Sequence, residues 1–184
     1  MFNPARLSLA RQRRKLTKKA LAEKLGCDQK TLVRYESGES APNSESLGNL
    51  SEVLGYPAQF FFGADIDEPQ RDAVSFRSLS SMPARDRDAA LGAGALAFML
   101  NDWVEDQFDL PQPDLPSFPE GSTPEGAARA VRDYWALGEM PIRNLVHLLE
   151  AKGVRVFSLA ENSRAVDAFS MWRRDTPFVF LNTM

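Results

Sequence analysis

Apolar positions recur at helical spacing from the first residues of the chain. Asn3-Pro4 offers a cap followed by proline at the first helical position, which predicts a helix ending in Arg13-Arg14-Lys15. Thr17 caps a second helix whose Leu21, Ala22 and Leu25 share one face. Gly26 supplies a left-handed turn, and Asp28 caps a third helix with Leu32 and Tyr35 inward and Gln29, Lys30 and Arg34 outward. Leu47, Leu50 and Leu54 predict a fourth helix over 44–54. The closing LGYPAQFFFG predicts a short fifth, with Phe60, Phe61 and Phe62 plugging the core.

The next stretch, GADIDEPQRDAVS, has neither helical nor strand period and reads as a linker over 64–82. Pro83 then opens a long helix reaching Phe108. One row holds Leu91, Ala95, Phe98, Asp102 and Glu105; another holds Leu96, Met99, Leu100 and Trp103. So wide an apolar surface asks for cover on two sides, either by an internal core alone, the commoner arrangement, or by that core and a second subunit. LPQPDLPSFPEG carries four prolines and predicts an extended loop. Ser122 with Glu125 makes a capping box for a helix through Ala128, Val131, Tyr134 and Trp135. Pro141 starts another helix, with Ile142, Leu145, Val146, Leu148 and Leu149 inward and His147 outward. Past Gly153 the period shortens. Val154, Val156 and Phe157 predict one strand, residues 168–172 and 178–181 two more, with a hairpin turn at 173–176. The whole is α+β and mostly α: a five-helix unit over 1–63, a linker, then helices and a small antiparallel sheet over 83–184.

The second and third helices together make a helix-turn-helix, with small Ala22 at the crossing, Gly26 at the turn and long polar arms outside. Charge sharpens that reading. Residues 1–40 hold ten Lys/Arg against four Asp/Glu, a net +6, whereas the remainder holds 12 against 21, a net −9. A net charge of −3 therefore conceals a basic head, the footprint of a nucleic-acid surface. With LTKKALAEKLG and YESGESAPNSESLGNLSEVLG in place, residues 3–63 resemble the XRE family of lambdoid-repressor and Cro-like DNA-binding domains. The resemblance implies five helices, an arginine of the first paired with a glutamate ending the recognition helix, and a second helix whose amino end abuts the DNA backbone. Arg11 and Glu36 fall on the paired positions. Gln29 and Lys30 fall at the groove-entering end and Arg34 one turn later, as base readers. Thr31 and Val33 are weaker candidates, Val33 for a thymine methyl. Lys18 and Lys19 become phosphate contacts; Ser37, Ser40 and Asn43, read as the following loop, are further phosphate candidates.

A second resemblance covers residues 70–184. FRSLSSMPARDRDAALGAGALAF, MPIRNLVHLLEAKGVRVFSL and DAFSMWRRDTPFVFLNT are similar to the opening half of ImmA/IrrE-type metallopeptidase domains fused to XRE heads. That family implies a following helix with His-Glu-x-x-His for zinc and water activation, and no such motif stands here. His147 is the one histidine and Cys27 the one cysteine, so neither a catalytic set, a metal site nor a cofactor is expected. The single cysteine also excludes an internal disulfide and fits a reducing cytoplasm. The charged start lacks a signal-peptide core, and the longest low-polarity run, residues 89–100, falls short of the ~20 residues a membrane span needs. The expected function is a cytoplasmic, non-enzymatic, sequence-specific regulator binding double-stranded DNA as a homodimer. Its tail would be an incomplete peptidase-like region open to a protein partner. The rivals are a fragment of a zinc metallopeptidase that cleaves a repressor, and an antitoxin-like autorepressor.

Overall fold

The structure is a computed structural model that describes residues 1–70, 73–76, 82–119, 121–159 and 167–182. Four helices open the chain: α1 (Pro4–Arg13), α2 (Lys18–Leu25), α3 (Gln29–Ser37) and α4 (Ser44–Leu54), followed by a 3₁₀ turn, Ala58–Phe62. Each begins on the cap its sequence offers. The Asn3 side chain accepts from the Ala5 amide, Thr17 from Ala20, Asp28 from Lys30 and Asn43 from Ser46. Leu7, Leu21, Leu32, Leu50, Leu54 and Phe61 meet in a closed core. Of the aromatic trio only Phe61 fills that core; Phe60 is half-buried and Phe62 is exposed, because a 3₁₀ turn cannot aim three consecutive rings inward.

The tail is built on α5 (Ala84–Gln107), laid across a four-stranded sheet of β1 (Val74–Phe76), β2 (Arg155–Leu159), β3 (Ala168–Arg173) and β4 (Thr176–Asn182). Strand order is β1-β3-β4-β2. Alternation along β3 and β4 sends Phe169, Met171, Phe178 and Phe180 toward α5, where Phe98 meets the Phe178 ring at 4.9 Å. Cross-strand partners Phe169 and Phe180 stack with centroids 4.4 Å apart. The expected antiparallel sheet is in fact mixed: β3 runs antiparallel to β1 and β4, but β2 joins the far side of β4 in parallel. A two-residue turn forces β3 and β4 antiparallel, whereas β2 enters from a helix and is free of that constraint.

The 64–82 stretch does more than link. Asn3 donates to the Gly63 carbonyl and the Asp65 carboxylate, Pro69 is buried against Gly94, and Val74 to Phe76 pair with β3. Part of the stretch lies outside the described residues. Two further helices, α6 (Pro124–Tyr134) and α7 (Leu145–Ala151), bury no residue fully. Thr123, not Ser122, caps α6, since Pro124 takes the first helical position and the Ser122 hydroxyl donates back to Pro119. Asn144 caps α7, so the helix starts at Leu145 instead of Pro141. Leu145 and Val146 are exposed, against the inward expectation, in a helix that buries no residue fully.

Head and tail are docked through α1 and α5. Leu9 is 1% exposed and Arg13 lies across Gly92, with its guanidinium donating to the Ala89 carbonyl at 2.8 Å. Lys15 pairs with the buried Asp86 at 2.9 Å. The second apolar row of α5 remains uncovered: Met99, Leu100 and Trp103 are all exposed.

Candidate nucleic-acid interface

The turn between α2 and α3 is set by Gly26, whose φ of +65° an L side chain rarely adopts. It brings α3 across α2 with Leu32 wholly buried. By helical geometry Gln29 with Val33, and Lys30 with Arg34, then project one turn apart from the opposite side, and all four are exposed. Thr31 and Tyr35 are half-buried on the flank. Lys30 and Gln29 occupy the amino-terminal turn, the part of a recognition helix that enters the major groove. Exposed Val33 supplies an apolar spot suited to a thymine methyl.

The helix is held by charge as well as by packing. Arg11 Nε donates to Glu36 Oε1 at 2.5 Å and Nη2 to Oε2 at 3.1 Å, a two-pronged pair between α1 and the last turn of α3. The Glu36 side chain is only 3% exposed. Arg11 Nη1 also donates to the Leu16 carbonyl at 2.8 Å, so one guanidinium joins α1, the α1–α2 connection and α3.

The flanking polar residues divide. Lys19 is exposed, with a long 4.0 Å pair to Glu23. Lys18 stands at the start of α2, its ammonium 3.3 Å from Glu36 Oε2 and its side chain 40% exposed. The Lys18 and Lys19 amides precede the first intrahelical acceptor, leaving backbone donors beside two ammonium groups, a fit for phosphate. Arg34 lies 3.3 Å from Glu39, both well exposed, a pair that a base edge can displace at little cost. Ser37 is not in the loop: it is the last residue of α3, and its hydroxyl donates to the Arg34 carbonyl and accepts from Glu39. A serine at a helix end satisfies an otherwise unmet carbonyl. The Asn43 side-chain oxygen is spent on capping α4, leaving its amide hydrogens for phosphate, while Ser40 is exposed.

From the sequence, Arg13, Arg14 and Lys15 are simply the cationic end of the first helix. Instead Arg14 donates to the Leu54 carbonyl and lies over Tyr56, while Arg13 and Lys15 hold α5. Arg6 is likewise turned inward, onto Ala64 and Phe60. The basic surface of the head thus rests on Lys18, Lys19, Lys24, Lys30 and Arg34 of α2 and α3, with Arg14 still exposed at the end of α1. The left-handed Lys15, φ +56°, was the hidden signal, since it redirects the chain and aims that lysine at Asp86.

Residues 7–61 match the family model described as helix-turn-helix. Multiprotein-bridging factor 1 of Debaryomyces hansenii is 40% identical over 60 residues, which covers 33% of this chain and 38% of that protein. The chain therefore spans well under half the length of that curated relative. Among solved structures, the crystal structure of apo-HppE aligns with 41% of this chain and 52% of its own, at 22% identity and a TM-score of 0.29.

Proposed function

We propose that this chain, whose residues 7–61 are a helix-turn-helix domain, is a sequence-specific transcription regulator that places α3 in the DNA major groove. The observation that carries the reading is the outer face of α3. Gln29, Lys30 and Arg34 stand in solvent on a helix fixed by buried Leu32 and by the Arg11–Glu36 pair. Arginine and lysine donate to guanine O6 and N7, and glutamine reads adenine N6 and N7. Lys18 and Lys19 at the start of α2, with Ser40 and Asn43 beside α3, then bind phosphate and fix the register. Selection from a random duplex pool followed by fluorescence anisotropy tests this. A recovered consensus, bound at least a thousandfold more tightly than bulk duplex, is the expected result. Binding that is equal for all duplexes would overturn it.

One small reading head covers a half-site, and the reading therefore includes a homodimer. Leu96, Met99 and Trp103 recur at helical spacing on α5, and the last two are exposed, which supports a partner copy on that row. The tail is proposed as a non-catalytic scaffold of ImmA/IrrE type. Its support is the quoted sequence resemblance together with a long helix packed on a small mixed sheet. Among the described residues no three His, Cys, Asp or Glu side chains gather as a metal cluster, and no helix is long and apolar enough to cross a membrane. Metal analysis and a repressor-cleavage assay with added zinc test the scaffold reading; chelator-sensitive cleavage would overturn it.

A further inference from the structure

We propose that the cavity between the C-terminal half of α5 and the edge strand β2 binds a small arylalkyl or alkyl ammonium ion. The cavity measures about 230 Å³. An engineered apolar cavity of about 150 Å³ takes up benzene, so this one has room for a single ring with a short arm. Its walls come from Leu100 and Val104 of α5, Leu110 of the proline-rich loop, and Val154, Val156 and Phe157 of the β2 segment. Hydrocarbon is therefore the natural filling.

The choice of a cation rests on the polar groups of the wall, Asn101, Glu150 and Arg155. Arg155 is 9% exposed and already donates to Asn101, the Pro111 and Gly153 carbonyls, and Glu105. Four of the five guanidinium N–H groups are thus committed and its charge is met by Glu105, so an anionic ligand finds a spent partner. Asn101 has likewise given its oxygen to Arg155. Glu150, in the last turn of α7, has no side-chain hydrogen bond or ion pair within the described residues. The adjoining polar cavity adds Asp109, its Glu105 and Arg155 being already paired with each other. A negative rim over low-dielectric walls draws a positive head group to Glu150 while the hydrocarbon part fills the interior.

Methyl-resolved NMR of the full chain tests this with three probes of one skeleton: phenethylammonium, 2-phenylethanol and phenylacetate. The expected result is shifts centred on Leu100, Val104 and Val156, with phenethylammonium binding about fivefold more tightly than the alcohol, the advantage of a rim ion pair. Phenylacetate should bind most weakly. Glu150→Gln, at an exposed position that leaves the fold untouched, should erase the preference for the cation and spare the alcohol. Val104→Trp should fill the cavity and abolish all three. Equal binding of cation and alcohol, a preference that survives Glu150→Gln, or no binding of any probe would overturn the proposal. So would shifts at Val104 and Val156 that follow protein concentration alone, which would assign the cavity to a second copy of the chain.

Discussion

Replacing Arg11 by alanine removes three charge-assisted or carbonyl hydrogen bonds at once from the head. The guanidinium makes two bonds to Glu36 and one to the Leu16 carbonyl, with the pair's side chains 11% and 3% exposed. Truncation leaves a buried carboxylate whose remaining partner is Lys18, at 3.3 Å and half in solvent. Breaking a buried pair from one side costs about 3–5 kcal/mol. The surviving ammonium recovers part of this, which sets the expectation for Arg11→Ala at about 3 kcal/mol. Removing both charges with Arg11→Met and Glu36→Leu deletes the desolvation along with the attraction, so the double variant should lie within about 1 kcal/mol of the parent. Urea unfolding followed by far-UV circular dichroism is the appropriate assay. The tryptophans at 103, 135 and 172 all lie in the tail and are blind to local changes in the head. A cost below about 1 kcal/mol for Arg11→Ala would refute the reasoning. A double variant as unstable as the single one would refute it equally, by showing that lost packing rather than an orphaned charge set the cost.

Arg34→Ala and Lys30→Ala should each weaken consensus binding by about 1–3 kcal/mol and relax the preferred base, as measured by anisotropy on variant sites. Lys18→Ala should weaken all duplexes alike and lower the slope of log affinity against log salt by about 1. Gly92→Leu drives a side chain into Arg13 and should cost about 1–3 kcal/mol, with faster hydrogen exchange in both α1 and the first turns of α5. The hydrogen bond and charge of Arg173 hold the Asp102 carboxyl below the usual carboxylate range. The unfolded chain therefore binds the proton more readily, and this stability is complete above the ordinary aspartate range and lost as pH falls through the depressed value. Because that carboxylate is half exposed, the loss should stay below about 1 kcal/mol, and Asp102→Asn should remove it from a pH series of urea melts.

The head was legible because its signals are local. Asn3, Thr17 and Asp28 each announce a helix within three residues of themselves, and each makes the cap it promises, whereas Asn43, read as a loop residue, caps α4. Gly26 and Leu32 need only the neighbouring helix to explain them. The tail hid its sheet order for the opposite reason. Hairpin β3–β4 could be read from a turn between alternating runs, but β1 finds its partner about a hundred residues away, and β2 pairs in parallel with β4, skipping β3 in sequence. Helical spacing also overstated burial. On α5 it identified Phe98 and Leu91 as core and equally nominated Met99, Leu100 and Trp103, which are exposed. Periodicity says that a face is apolar; the number of layers available decides whether it is covered. Nor does the candidate site itself escape this limit. The outward side of α3 follows from one helix, whereas the loss of Arg6, Arg13 and Lys15 from the basic surface depends on carbonyls and a carboxylate far along the chain.

That loss changes what α5 does. With 24 residues it is about 36 Å long, and it touches both halves of the molecule. Its first turns hold the head through Asp86, Ala89 and Gly92, and its later turns hold the sheet through Phe98, Asn101 and Asp102. The Arg173 guanidinium stacks on Phe98 and bonds Asp102 and Asp67, so the β3–β4 turn, α5 and the interdomain segment meet at one cation. A head joined only by a flexible linker would sample orientations independently of the tail. Here the Arg11–Glu36 pair fixes α3 to α1, and Arg13 with Lys15 fixes α1 to α5. The direction in which Gln29, Lys30 and Arg34 point is consequently set by the tail's own core. If the seam at Gly92 is opened by the leucine substitution above, a head that still folds should keep its affinity for a single half-site. It should lose affinity for two half-sites at fixed spacing, because only the latter requires two heads held in a defined relation. Equal loss on both sites would mean that the seam supports the head's fold and not its orientation.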